Sequence, residues 1–150
     1  MHIRAAREDE AAALSALALR SKGVWGYSPE FLERCRAELT ILPEDIVPLR
    51  AHVADEGGRL LGFFTVRGVP PEGELDCLYV DPPAIGGGVG RALLDAAVAL
   101  ARREGFQALA IHGDPNAEAF YLRHGATRVG EVPSASIPGR MLPLLRLTID

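Results

Sequence analysis

Apolar residues along this chain recur at two spacings, and the spacing changes where glycine, proline or serine interrupts it. Leu14, Leu17 and Ala18 fall on one face of a 3.6-residue repeat, which predicts a helix over Asp9–Arg20 with Gly23 beyond its end. Ser28-Pro29-Glu30 predicts the start of a second helix, because serine caps free N–H groups, proline suits the first turn and glutamate favours the positive dipole end. Phe31, Leu32 and Cys35 would form its buried face. Ala51–Ala54 and Leu60–Val66 read as strands of a hairpin, joined by Asp55-Glu56-Gly57-Gly58. Glu74–Val80 is a further strand, and Met1–Ala5 a short first one.

The longest apolar stripe is Val89, Ala92, Leu93, Ala96 and Leu100, within a helix expected over Gly88–Glu104. Arg102 and Arg103 suit its negative end and Gly105 terminates it. Ala108–Ile111 reads as a buried strand, Asp114-Pro115-Asn116 opens a brief helix that Gly125 closes, and Thr127–Val132 and Met141–Ile149 read as final strands. Pro143 predicts that the last strand lies at an edge or starts late. The expected class is α/β, or α+β in a stricter scheme. One mixed, mostly antiparallel central sheet is flanked by helices, with a strand–helix–strand crossover in the middle.

Composition narrows the picture only modestly. The 150 residues suit a single domain over 1–150, with no repeat or linker to divide them. A net charge of −4 gives no support to nucleic-acid binding, for which a basic stripe is expected. Asp95 interrupts the richest apolar run, Ala92–Ala101, so no membrane span is expected, and the N-terminus lacks the apolar core of a signal peptide. Cys35 and Cys77 are far apart, without zinc-ligand spacing, which predicts no metal site and a reduced, cytoplasmic setting.

Candidate chemistry concentrates between Glu74 and Leu94. There a strand runs into Ile85-Gly86-Gly87-Gly88-Val89-Gly90-Arg91, and that turn opens the long helix. Helix N-termini carry unpaired N–H groups and partial positive charge, and glycines let a diphosphate approach the backbone. The same glycines could also serve only as a tight connection. Two rival phosphate motifs fail. A P-loop needs Lys-Ser or Lys-Thr after its last glycine, where Arg91-Ala92 stands; a GxGxxG count ends on Arg91 or Leu93.

This segment resembles the coenzyme-A-binding motif of the GNAT superfamily of N-acetyltransferases, (Arg/Gln)-x-x-Gly-x-(Gly/Ala) after a strand. A second block, Asn116-Ala117-Glu118-Ala119-Phe120-Tyr121-Leu122-Arg123-His124-Gly125-Ala126, is similar to that family's Asn…Ala…aromatic-Tyr…Gly region, with shorter spacing before the aromatic pair. The order of elements fits from Met1 through Val132. The resemblance implies a GNAT-like acyl-CoA N-acyltransferase fold, acetyl-CoA as cosubstrate, an amine acceptor and a homodimer. It places the pantetheine arm along Leu78, Tyr79 and Val80, and the diphosphate at Gly86, Gly87, Gly88, Val89, Gly90 and Arg91. Asn116 would either cap the following helix or reach the cofactor. Ile85 departs from the pattern, since isoleucine cannot hold phosphate as arginine or glutamine would.

For the chemistry, an alkyl amine with a pKa near ~10.4 arrives protonated, so a base or desolvation must free it. The departing thiol needs a proton, which a tyrosine can donate. The resemblance implies Tyr121 as that acid, beside the sulfur, and Glu74 as the catalytic or water-ordering base, with Asp76, one pleat nearer the cofactor, as the alternative base. A two-residue repeat predicts Glu74, Asp76, Leu78 and Val80 on one strand face. The resemblance implies that Trp25-Gly26-Tyr27 covers the acceptor site, the alternative being core anchors; Pro133–Arg140 would form a loop near the acceptor or an oligomer contact, and His112 and His124 read as structural or surface residues. The alternatives are a non-catalytic acyl-CoA-binding or regulatory module, or an unrelated phosphate-binding fold.

Overall fold

The computed structural model describes residues Met1–Asp150. Seven strands form one sheet in the order β1-β2-β3-β4-β5-β7-β6. They are β1 (His2–Ala5), β2 (His52–Glu56), β3 (Arg59–Val69), β4 (Glu72–Val80), β5 (Ala108–His112), β6 (Thr127–Pro133) and β7 (Met141–Thr148). The helices are α1 (Ala11–Gly23), α2 (Pro29–Leu39), α3 (Val89–Glu104) and α4 (Glu118–Arg123). Every strand pairing is antiparallel except β4 with β5, whose crossover is α3. No helix is long and apolar enough to cross a membrane.

Local signals act where the sequence places them. Ser28 accepts the N–H of Phe31 at 3.1 Å and starts α2. Asp55 accepts the N–H of Gly58 at 2.8 Å within the β2–β3 turn. Gly105, with φ of 90°, ends α3. The first helix starts later than its periodicity suggests, because Glu8–Glu10 forms a 3-10 turn before α1.

Two apolar layers sandwich the sheet. On one side α3 buries Val89, Leu93, Leu94, Ala97 and Leu100 against Phe64, Val66, Leu109 and Leu145. On the other, Leu14, Leu17, Cys35 and Leu39 of α1 and α2 cover Val53, Phe63 and Cys77. Each fully buried leucine contributes about 1.5–3 kcal/mol of transfer free energy.

Two expectations about the strands are corrected. First, β7 is interior, between β5 and β6, although it contains Pro143. Pro143 lies opposite Glu131 of β6 but beyond the last β5 pairing, His112 with Leu144. Its carbonyl accepts from Gly113, so its nitrogen points to the same side, where no ladder acceptor waits. Second, β4 does not keep a two-residue repeat. Thr65 pairs with Cys77 and Val66 with Leu75, leaving Asp76 as an unpaired bulge residue. The extra residue turns Leu78 and Val80 to the α3 side, while Cys77 packs with α1 and α2.

Candidate active site

The parallel pairing of β4 and β5 is short. It runs from Glu72 opposite Ala108 to Glu74 opposite Ala110 and stops there. Beyond it the strands part, so Leu75–Val80 keep β3 on one side and offer an unpaired backbone edge on the other. Leu78, Tyr79 and Val80 lie on that edge, in the place an added extended chain would occupy.

The glycine turn sits at the outer end of the edge. After a 3-10 turn over Pro82–Ala84, Gly86 and Gly88 take φ of 89° and 83°, a left-handed conformation that side-chain-bearing residues rarely adopt. No backbone acceptor within the protein takes the N–H groups of Gly86, Gly88, Val89, Gly90 or Arg91, and no acidic residue occupies the first turn of α3. A methyl group at Gly90 would lie 3.5 Å from the Phe120 ring and 3.6 Å from Val80, so turn, strand edge and α4 converge there. Ile85 is half exposed on the turn, and Arg91 extends into solvent with Asp95 4.0 Å away.

At the inner end the parting strands open a cleft of about 350 Å³ that reaches α1 and α2. Tyr121 of α4 lines it, buried, its ring edge-on to Phe120 at 5.3 Å and against Gly113. Burial, reinforced by Cys77, pushes its hydroxyl pKa above the ordinary tyrosine range. The Cys77 thiol, also buried and close to Asp76, is pushed up to about 12 and stays protonated.

Glu74 and Asp76 face the cleft together, across from Arg67 of β3. Arg67 Nε lies 2.5 Å from Glu74 Oε2 and 3.8 Å from Asp76 Oδ1. The Glu74 contact runs off the N–H direction, so the buried Oε2 has an ion-pair partner but no directed donor. Glu74 Oε1 lies 3.3 Å from His112 Nε2 at the end of β5. Burial raises the Asp76 carboxyl pKa; Arg67 opposes that shift and Glu74 adds to it.

A second polar cluster, centred on Asp114, borders the cleft where it meets α1. Asp114 accepts from the Tyr27 hydroxyl at 2.8 Å, from Lys22 Nζ at 3.2 Å and from the backbone and side-chain nitrogens of Asn116. Arg140 donates to the Tyr27 hydroxyl at 2.7 Å and lies over the stacked Tyr27 and Phe31 rings. Burial works against the Asp114 anion, yet the Asn116 N–H, the Tyr27 hydroxyl and Lys22 together hold its carboxyl below the usual range. Asn116 therefore does not cap α4. Asp114 caps the preceding 3-10 turn, and the Asn116 amide donates to Tyr27 and Asp114.

Arg67, His112, Lys22, Asp114 and Arg140 were not singled out by sequence as site residues. Only Arg67 had a usable signal, since a tight β3–β4 hairpin places it opposite Glu74. Nowhere do three His, Cys, Asp or Glu side chains gather in a way that could hold a metal ion.

The family model described as "Acetyltransferase (GNAT) family" matches residues 17–126. No curated protein matches the sequence. Among solved structures, the chain is similar to the PaiA N-acetyltransferase of Thermoplasma acidophilum in complex with coenzyme A. That likeness has 19% identity, covers 98% of each chain and has a TM-score of 0.80. A GCN5-related N-acetyltransferase from Rhodopseudomonas palustris matches at 23% identity, over 98% of this chain and 94% of that one, with a TM-score of 0.80. The protein yncA of Salmonella typhimurium, solved with acetyl-CoA, matches at 24% identity over 100% and 94%, with a TM-score of 0.71. At these identities the structural likenesses establish the fold.

Proposed function

The chain belongs to the GNAT acetyltransferase family, and on that premise we propose that it moves the acetyl group of acetyl-CoA to a primary amine by direct attack on the thioester. One observation carries this reading. The free edge of β4 joins the unpaired N–H groups of the glycine turn to a cleft lined by Tyr121. In the proposal Gly86, Gly87, Gly88, Val89 and Gly90 hold the diphosphate through backbone amides, with Arg91 contributing charge from outside. The pantetheine arm pairs along Leu78, Tyr79 and Val80, and Asn116 borders the thioester end.

Proton removal from the incoming ammonium falls to the acid–base group that β4 presents, Glu74 with Asp76. The freed amine attacks the carbonyl carbon and the C–S bond breaks with its electrons to sulfur. Sulfur takes the Tyr121 O–H proton, and the proton that nitrogen then sheds restores Tyr121. A tyrosine raised by burial remains protonated at neutral pH, as this role requires.

The test is calorimetric titration with acetyl-CoA, with ATP and NAD as controls, followed by a screen of primary amines for thiol release. Selective acetyl-CoA binding with turnover supports the reading. Binding without turnover on any amine favours a non-catalytic acyl-CoA-binding module, and no acetyl-CoA binding overturns the cofactor assignment.

A further inference from the structure

The Glu74 carboxylate has an uneven surrounding. Its Oε2 lies against the permanently charged Arg67, while its Oε1 faces a group able to exchange a proton, the His112 imidazole at 3.3 Å. Glu74 is the more enclosed partner, with 14% of its side chain exposed against 44% for His112. His112 is the last residue of β5, and the next residue, Gly113, packs against the Tyr121 ring. Thus β5 sets the imidazole at the mouth of the cleft, one residue from the backbone on which Tyr121 rests.

An ionised carboxylate only accepts hydrogen bonds, so the ring nitrogen facing it carries the hydrogen. The Nε2–Oε1 pair is a charge contact off the N–H direction rather than a directed hydrogen bond, and a proton held on the nitrogen nearest Glu74 leaves Nδ1 as the basic nitrogen. Nδ1 has no hydrogen-bond partner within the protein, unlike Nδ1 of His52 and of His124, each of which is tied to a backbone carbonyl. A base oriented and charge-balanced by a buried carboxylate is a recurrent arrangement for taking a proton from a nucleophile.

We propose that His112 is the general base of the transfer and that Glu74 acts through it as a positioning residue, with Arg67 holding the far side of the Glu74 carboxylate. This rests on the acetyltransferase reading and revises its proton step, with His112 rather than Glu74 or Asp76 taking the ammonium proton. In the proton step an ammonium N–H bond breaks and an Nδ1–H bond forms. The imidazolium charge is balanced by Glu74, and the amine nitrogen keeps the electron pair it uses on the thioester. After the acetylated product leaves, Nδ1–H returns its proton to solvent, to which the half-exposed ring is open.

The experiment compares the full-length protein with His112→Ala, His112→Gln and Glu74→Gln. Thiol release is measured from acetyl-CoA with the best amine of the primary-amine screen, and acetyl-CoA binding is measured by calorimetry. Both His112 variants are expected to lose at least about 100-fold in kcat/KM, with acetyl-CoA Kd within about threefold of the parent. Added imidazole should restore part of the His112→Ala loss, which a merely structural histidine would not allow. Retention of kcat/KM within about threefold in His112→Gln overturns the proposal.

A second measurement needs no acceptor: acylation of His112 by diethyl pyrocarbonate, followed by peptide mass spectrometry. At about pH 8, where an imidazole is already neutral, Glu74→Gln should slow His112 modification about threefold or more while leaving His2 unchanged. Equal rates at His112 in parent and variant overturn the pairing. Absence of acetyl-CoA binding, or of turnover on every amine, counts instead against the acetyltransferase reading, and the labelling result still decides the dyad.

Discussion

Replacing Tyr121 by phenylalanine removes one oxygen atom from the site, and the structure fixes what that should cost. The ring is buried and its packing against Phe120 and Gly113 does not involve the hydroxyl. Burial and Cys77 alone shift its pKa upward, with no hydrogen-bond partner in the protein contributing. Phenylalanine therefore keeps the packing and leaves no donor or acceptor unpaired, so stability should change by less than about 1 kcal/mol. For a chain of this size that is a melting shift of no more than about 4 °C. Chemistry should respond very differently. Without the phenol the thiolate departs unprotonated, and losing a positioned acid lowers rates by about 10²–10⁴. At about 1.36 kcal/mol per decade this is roughly 2.7–5.4 kcal/mol of barrier. The assay is thiol release at saturating acetyl-CoA with calorimetric Kd and a thermal melt on the same preparation. A kcat within about threefold of the parent, with the melt unchanged, would refute the assignment. A hundredfold weaker Kd would instead make Tyr121 a cofactor-holding residue.

Three further outcomes follow from named contacts. Ile85→Arg places a guanidinium on the turn whose free amides are assigned to the diphosphate, so acetyl-CoA affinity should rise about three- to tenfold and the gain should shrink at high salt. Weaker binding by calorimetry would move the diphosphate elsewhere. Asp114→Ala strips Lys22, Tyr27, Arg140 and Asn116 of their shared acceptor and should cost about 2–3 kcal/mol, a fall in melting temperature of roughly 5–10 °C; a melt within a degree of the parent would show that the cluster holds nothing together. Glu10 accepts two bonds from Arg4, at 3.0 and 2.9 Å, and one from the Arg7 N–H, which lower its carboxyl from 4.5 to about 2 against the cost of burial. A depressed folded value gives stability that is present above the unfolded value and lost as pH falls from about 4.5 to about 2. Allowing for solvent screening the loss is about 1–2 kcal/mol. Denaturant melts across that range should show it in the parent and not in Glu10→Gln.

The elements themselves are written locally, which is why the sequence determines them. Ser28 caps α2 through a residue three positions away, Gly105 ends α3 in the left-handed conformation, and the α3 stripe meets the sheet as its 3.6-residue period requires. The glycine turn is legible for the same reason, since its strand, its glycines and its helix are contiguous. What the tertiary structure alone decides depends on pairing between distant segments. A bulge at Asp76 exists only because Thr65 and Val66 choose their partners across a hairpin, and that one-residue slip carries Leu78 and Val80 to the opposite face from Glu74 and Asp76. The register in which β5 meets β4 ends the pairing at Glu74 and sets His112 beside it, 38 residues away in sequence (112 − 74). Asp114 is joined to Tyr27 across 87 residues and to Lys22 across 92. No periodicity or capping signal reaches so far. Contacts of this kind form only after the sheet and its two apolar layers have fixed where each strand ends.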